Sequence, residues 1–483
     1  MFKKTKIILL FFSFMAFLQK VSFCNFICNN PRLFSACRRK KIVIAVASFI
    51  TSFSVLPNCV TGDCISGIGT KIFSDGGKYS GQWYGGMKNG RGVYFFPNGD
   101  IYEGGWKDNK MSGQGNFSFS IGGNFQGNFL NNEMNGLGVY TYPEGHTYKG
   151  EFKNNKRNGK GFYIFNDRDE YEGYFQDDKI YGKGIYRYSN GDIYEGNFVN
   201  DLYHGQGKLK YANGDAYDGS FQEGIKEGLG SYVFANKSKY TGEFYRDKIH
   251  GKGKFEFPNG DKYEGNFANN KFSGEGIYTF TSGVKYSGNF QDDQYNGKGL
   301  KINTDGSKYT GDFREDQYNG KGIISYQNGD TYQGEFVKGI YQGKGTLTFA
   351  SGDVYIGEFS NGKRNGTGIY KYVNGDRYEG EFKEDKFNGK GNFFFSDGSR
   401  YEGGFENDKY KGKGTYIYPK GDKYEGEFLD DMRHGMGVYV STDGSKYTGE
   451  YKKNKKDGPG ILTDKDGNVI YKGQWVNGEQ SSK

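Results

Sequence analysis

The sequence predicts an all-β protein: an elongated antiparallel meander of about eighteen tandem β-hairpins, preceded by an N-terminal hydrophobic leader. Three observations carry that prediction. An aromatic-x-Gly-x-aromatic anchor recurs every 23 residues from Tyr79 to Tyr447, with one more at Tyr471 after a step of 24. Gly-x-Gly pairs recur in the same phase from Gly67 to Gly458. The composition, 81 Gly with 42 Tyr and 42 Phe but only 7 Pro, is polar and Gly-rich, yet too aromatic for a disordered chain.

Residues 1–58 read as a targeting leader. One apolar run extends from Ile7 to Leu18 after Lys3, Lys4 and Lys6, and a second from Ile42 to Leu56 after Arg38, Arg39, Lys40 and Lys41. Each has the basic and short apolar regions of a secretory signal, and neither reaches the roughly 20 apolar residues of a membrane span. Keeping the basic cluster cytoplasmic exports everything after residue 56. The formal net charge is +8, but nine of the basic residues and only Asp63 among the acids fall within residues 1–64. The remainder carries 56 charges of each sign, so the array lacks the basic footprint of a nucleic-acid binder.

All 5 cysteines, Cys24, Cys28, Cys37, Cys59 and Cys64, also lie in this region. Leu56-Pro57-Asn58-Cys59 is similar to a bacterial lipoprotein signal with Cys59 as the lipidated residue, although Asn58 stands where a small residue is usual. The alternatives are a Cys59–Cys64 disulfide or two free thiols. Asn/Lys richness beside such a signal points to an exported bacterial envelope protein. Residues 59–66 are expected as a short linker, 67–475 as the array and 476–483 as a polar tail.

Side chains alternate across a strand, so Tyr378, Gly380 and Phe382 share one face while Glu379 and Glu381 point to the other. The same rule places both glycines and both tyrosines of Gly366-Thr367-Gly368-Ile369-Tyr370-Lys371-Tyr372 on one face. Glycine weakens a strand, so its regular use calls for a reason: it leaves a shallow slot into which a neighbouring ring packs. Asn-Gly and Asp-Gly turns, as in Pro97-Asn98-Gly99-Asp100 and Ser396-Asp397-Gly398-Ser399, predict type I′ geometry. The other connection, such as 383–388, reads as a six-residue polar loop. Asp167-Arg168-Asp169 and Asn236-Lys237-Ser238 lack the turn glycine and predict altered or looser turns. Eighteen hairpins make 36 strands, roughly 170 Å of stacked sheet at the usual spacing, with an edge at either end able to pair with another copy.

The unit Tyr263-Glu264-Gly265-Asn266-Phe267, followed by Gly274-Glu275-Gly276-Ile277-Tyr278, resembles the MORN repeat, and the resemblance covers residues 67–475. It implies a β-hairpin array and, by family analogy, two alternative roles: phospholipid binding beside membranes, or regulation of an enzyme on another chain. The leading expectation is a non-catalytic scaffold, exported and membrane-tethered through its leader, presenting an extended surface for protein partners or self-association. No cofactor or metal is expected.

The chain has no phosphate-loop, His-Glu-x-x-His or Gly-x-Ser-x-Gly signature. His204, His250 and His434 fall in one repeat phase and read as loop residues too far apart to share an ion. Asp464-Lys465-Asp466-Gly467 lacks the distal Glu of a calcium loop and reads as a surface turn. Acid pairs such as Asp177/Asp178 and Asp292/Asp293 read as solvated charges. The neutral array weakens the lipid reading, leaving Lys452, Lys453, Lys455 and Lys456 as one basic corner.

Overall fold

The computed structural model describes residues 59–481; the leader, with both apolar runs, lies outside them. Thirty-eight strands, β1 to β38, form one antiparallel sheet in which each strand pairs with its neighbours in sequence. This is the expected meander. Two strands exceed the expected hairpins. β1 (Cys59–Gly62) lies in the segment read as a linker, and β38 (Glu479–Gln480) in the segment read as a tail.

Each repeat but the last supplies a seven-residue strand and a nine-residue strand, as in β19 (Lys262–Ala268) and β20 (Lys271–Thr279). The two connections differ from expectation. The stretch read as a six-residue polar loop is a two-residue turn: Asn269 and Asn270 (φ 53 and 70), or Glu384 and Asp385 (φ 51 and 71). Two successive residues at positive φ make these the type I′ turns, and Asn and Asp tolerate that region better than most residues. The Asn-Gly connection is instead a three-residue loop. In it Gly99 N–H donates to the Phe96 carbonyl and Phe96 N–H to the Asp100 carbonyl, so only Gly99 needs positive φ (91).

Arg168 (φ 70) and Lys237 (φ 72) take the place of that glycine without loosening the turn. Arg168 N–H still reaches the Phe165 carbonyl at 3.0 Å, and Lys237 N–H reaches the Phe234 carbonyl at 2.8 Å. The expectation of altered turns is therefore corrected: the hydrogen bonds persist and two L-residues bear the strain.

The Gly-x-Gly pair also needs correction, because its members do not share a face. Gly265 opposes Gly276 and Phe267 opposes Phe272, so Asn266 faces three residues across a bulge. Gly274 sits in that bulge at φ 62. At the equivalent Gly366, an added Cβ would lie 2.2 Å from Glu358 Oε2, on the face away from the rings. The first glycine supplies backbone freedom at the bulge; only the second forms the slot.

Both margins of the sheet are stapled from repeat to repeat. On one, the second residue of a two-residue turn accepts the backbone N–H of the preceding repeat: Asn270 from Ile249 at 2.8 Å, Asp293 from Phe272 at 2.7 Å. On the other, Asp261 accepts from Thr281 N–H and Asp376 from Ser396 N–H, both at 2.8 Å.

Candidate functional site

The two faces of the sheet differ in kind. On one, the anchor tyrosines lie flat on glycine. Tyr263 and Tyr378 are fully buried, and Phe267 and Phe382 nearly so. A Cβ at Gly276 would lie 2.4 Å from Tyr263 Oη, and one at Gly380 would lie 2.4 Å from Tyr378 Oη, so both glycines are open to the ring and to nothing larger. Tyr263 meets Phe267 of its own repeat at 5.1 Å and Phe290 of the next at 4.9 Å, both edge to face. Tyr278 belongs to a second lane, 4.4 Å from Phe280. The predicted repeat residues thus assemble into one continuous aromatic layer, with Gly274 outside it at the bulge.

Two features of that layer are missing from the sequence reading. The anchor hydroxyl donates to the carbonyl three residues on, Tyr263 to Asn266 at 2.8 Å and Tyr378 to Glu381 at 2.9 Å. That carbonyl lies where the bulge interrupts the ladder. The second feature is a cover residue nine positions after each anchor. Phe272, Tyr295, Tyr318 and Tyr341 stack on their anchors at 3.7 to 3.9 Å. Elsewhere a cation takes the place. Lys88 Nζ lies 4.2 Å from the Tyr94 centroid and 4.1 Å from Trp106, and burial lowers its pKa to about 8. Arg157, Arg364 and Arg433 cover rings in the same way. A position that alternates between Tyr, Phe, Ile, Met, Lys and Arg has no visible motif, although its spacing is constant.

The opposite face carries the candidate binding surface. An open groove of ≈ 1450 Å³ crosses the strands from β19 to β28 (Lys363–Lys371). Its floor is the backbone of the alternating slot and anchor glycines, from Gly276 to Gly357. One wall follows a cross-strand row in register, Ile277, Ser287, Leu300, Thr310, Ile323, Gln333, Thr346, Ile356 and Ile369, of which all but Leu300 and Ile369 line the groove. No charge interrupts this row between Glu264 and Glu379, whereas its continuation before it runs Glu195, Lys208, Asp218. Ile277, Leu300, Ile323 and Ile356 are each more than a third exposed. The other wall pairs opposite charges across strands: Lys298 with Asp312 at 2.6 Å, then Lys321 opposite Glu335 and Lys344 opposite Glu358. The result is a long trough, aliphatic and hydroxylic along one side and zwitterionic along the other.

The remaining sequence candidates resolve individually. Cys59 is disulfide-bonded to Cys64, with Cα atoms 5.9 Å apart, the alternative named beside lipidation. His204, His250 and His434 lie within strands, not loops, because the two-residue turn lengthens the second strand of each repeat. Asp178 and Asp293 are not simply solvated: each accepts a backbone N–H, from Arg157 and Phe272. Their neighbours Asp177 and Asp292 pair with Lys156 and Lys271. Asp464 accepts the N–H of Asp466 and Asn468 within its own turn. Lys456 leaves the basic corner and lies 4.5 Å from both Tyr447 and Trp475.

No curated protein matches the chain. Among solved structures, it is similar to the TCP10 domain of Danio rerio CPAP in complex with a STIL peptide, at 14% identity. That match covers 61% of this chain and 100% of the other, with a TM-score of 0.18. It is also similar to PorZ of Porphyromonas gingivalis, a surface component of the type-IX secretion system, at 9% identity. The shares covered there are 84% and 79%, with a TM-score of 0.12. The family model described as MORN repeat matches eighteen segments, beginning with 79–101 and ending with 471–482. By that match across nearly all of its described residues, the chain belongs to the MORN-repeat family.

Proposed function

We propose that the array is a non-catalytic scaffold, exported and tethered through its leader, whose trough receives an extended segment of a protein partner. The observation that carries this is the uncharged row from Ile277 to Ile369 beside a wall of paired charges. Exposed aliphatics in line, rimmed by polar groups, suit a polypeptide better than a compact ligand, and repeat arrays recognise partners along extended faces. The Cys59–Cys64 disulfide accords with an oxidising compartment. The lipid reading has less support, since Lys456 is engaged with rings and three lysines remain at that corner.

The test is affinity capture by the full chain in detergent, comparing the native protein with Ile323→Asp/Ile356→Asp. Those side chains face solvent, so the fold persists in circular dichroism while a specific partner is lost by an order of magnitude or more. A partner profile unchanged by both substitutions removes the trough from consideration. Protease shaving of intact cells tests export separately.

A further inference from the structure

The two ends of the array are complementary halves of one repeat. At the C-terminal end, β37 (Val469–Val476) carries a full anchor, Tyr471-Lys472-Gly473-Gln474-Trp475. Among the described residues no nine-residue second strand follows it: β38 covers only Trp475 and Val476. At the N-terminal end the reverse holds. Ile65-Ser66-Gly67-Ile68-Gly69-Thr70-Lys71-Ile72 is in phase with a second strand such as Ile249-His250-Gly251-Lys252-Gly253-Lys254-Phe255-Glu256, but no anchor precedes it. Ile65 falls at the cover position, where Ile180 and Ile249 are each 7% exposed, yet Ile65 is 68% exposed.

A stand-in occupies the missing anchor's place. β1 pairs with β2 (Ile68–Ile72), Gly62 opposing Gly69 as an anchor glycine opposes a slot glycine. The slot itself is filled by sulfur: a Cβ at Gly69 would lie 2.8 Å from Cys64 Sγ, where at Gly92 it would lie 2.3 Å from Tyr79 Oη. All four residues of β1 are exposed, and its register with β2 slips between Cys59 and Thr61. It is a short plug, held by three pairings and the Cys59–Cys64 bond.

We propose that the partner for these ends is a second copy of this chain, joined head to tail: β37 of one copy pairs with β2 of the next, displacing the β1 plug and completing a repeat at the junction. Gly473 then opposes Gly69, and the Tyr471 ring takes the slot vacated by Cys64. It meets Trp83 edge-on, as Tyr447 meets Trp475 at 5.2 Å and Tyr79 meets Trp106 at 5.3 Å. Among the described residues the donor edge is open before Gln474. The Gln474 carbonyl accepts from Ser481 on the outer side, so Lys472 aims its amide the same way, beyond the reach of β38. The acceptor edge mirrors it, since the Ile68 carbonyl accepts from Asp63 and Thr70 points with it towards β1. A contact between two different surfaces that leaves one of each free propagates as an open chain.

The test uses the full chain in detergent, followed by sedimentation velocity and negative-stain microscopy. Cys64→Gly unpins the plug and empties the slot; the expected result is concentration-dependent assembly, with the average mass rising at least about twofold over the oxidised native chain. In that background Lys472→Pro removes an amide only from the donor edge and Thr70→Pro only from the acceptor edge. Each alone is expected to sediment as a monomer, and their mixture to stop at dimers. A Cys64→Gly chain that stays monomeric overturns the proposal. So does assembly surviving either proline, which signals association through the leader or between like ends. The ends are remote from the trough, so Ile323→Asp leaves assembly unchanged, and either idea can fail without the other.

Discussion

A phenol hydroxyl looks dispensable when the ring beneath it is fully buried, yet in this array it answers a specific deficit. The bulge at each Gly-x-Gly pair takes the carbonyl three residues after the anchor out of the ladder, and the anchor hydroxyl supplies its donor, as Tyr102 does for Gly105 at 2.9 Å. Phe125 is the anchor without a hydroxyl. Phe125→Tyr is therefore expected to stabilise its repeat by about 1 kcal/mol and Tyr263→Phe to weaken its own by as much, the usual net worth of such a bond. Native-state amide exchange of the flanking strands measures both; equal protection in Phe125→Tyr and the native chain counts against the role assigned to the hydroxyl. Much of this scale was legible in the sequence. The ring-in-slot arrangement at Tyr263, Gly265 and Gly276 follows from strand alternation, but Gly274 does not, because a bulge resets the alternation and leaves no mark in residue type. The hydroxyl bond was hidden for the same reason.

Among the elements, the turns show where residue type misleads. Asn-Gly signals a type I′ hairpin in general, and Asn361-Gly362 makes one, but most of the tight turns here lack glycine, as at Asn269-Asn270, Asp292-Asp293 and Glu384-Asp385, in a stretch whose polarity reads as loop. Short acids and amides reach the left-handed region on their own, and their side chains are occupied in stapling the preceding repeat, as Asp293 does for Phe272. At Arg168 and Lys237 an L-residue holds that conformation, at a cost of about 1–2 kcal/mol, part of which glycine would return as unfolded-chain entropy. Arg168→Gly and Lys237→Gly are each expected to gain roughly 0.5 kcal/mol. The readout is slower amide exchange at Phe165 and Phe234; faster exchange in either variant shows that the side chains do more than tolerate the turn. The cover residues were the least legible element. Burying a Phe and laying a Lys stem over a ring achieve the same shielding with opposite chemistries, so no pattern of letters marks the position.

At the scale of the whole molecule, stability rests on many buried phenols. Burial raises the pKa of Tyr79, Tyr332 and Tyr424 to about 12, and that of most other anchor tyrosines upward as well. Because the folded values lie above the unfolded value near 10, the folded chain holds these protons more tightly. Their contribution is complete below about pH 10 and is lost as pH rises through the folded values. Apart from a small fraction from exposed phenols such as Tyr84 and Tyr245, alkaline titration is expected to show phenolate absorbance and loss of β-sheet dichroism rising together between about pH 10 and 12; ionisation of most tyrosines near 10 with the sheet intact contradicts the burial described here. The sheet has one further property that follows from its meander. Ladder bonds lie across the strands and therefore along the direction in which repeats accumulate. A pull on the two termini meets those bonds end-on and a few at a time. The ribbon yields as a zip opens, releasing one 23-residue hairpin after another from its extremities, so under tension it lengthens in equal increments while the untouched middle keeps its shape.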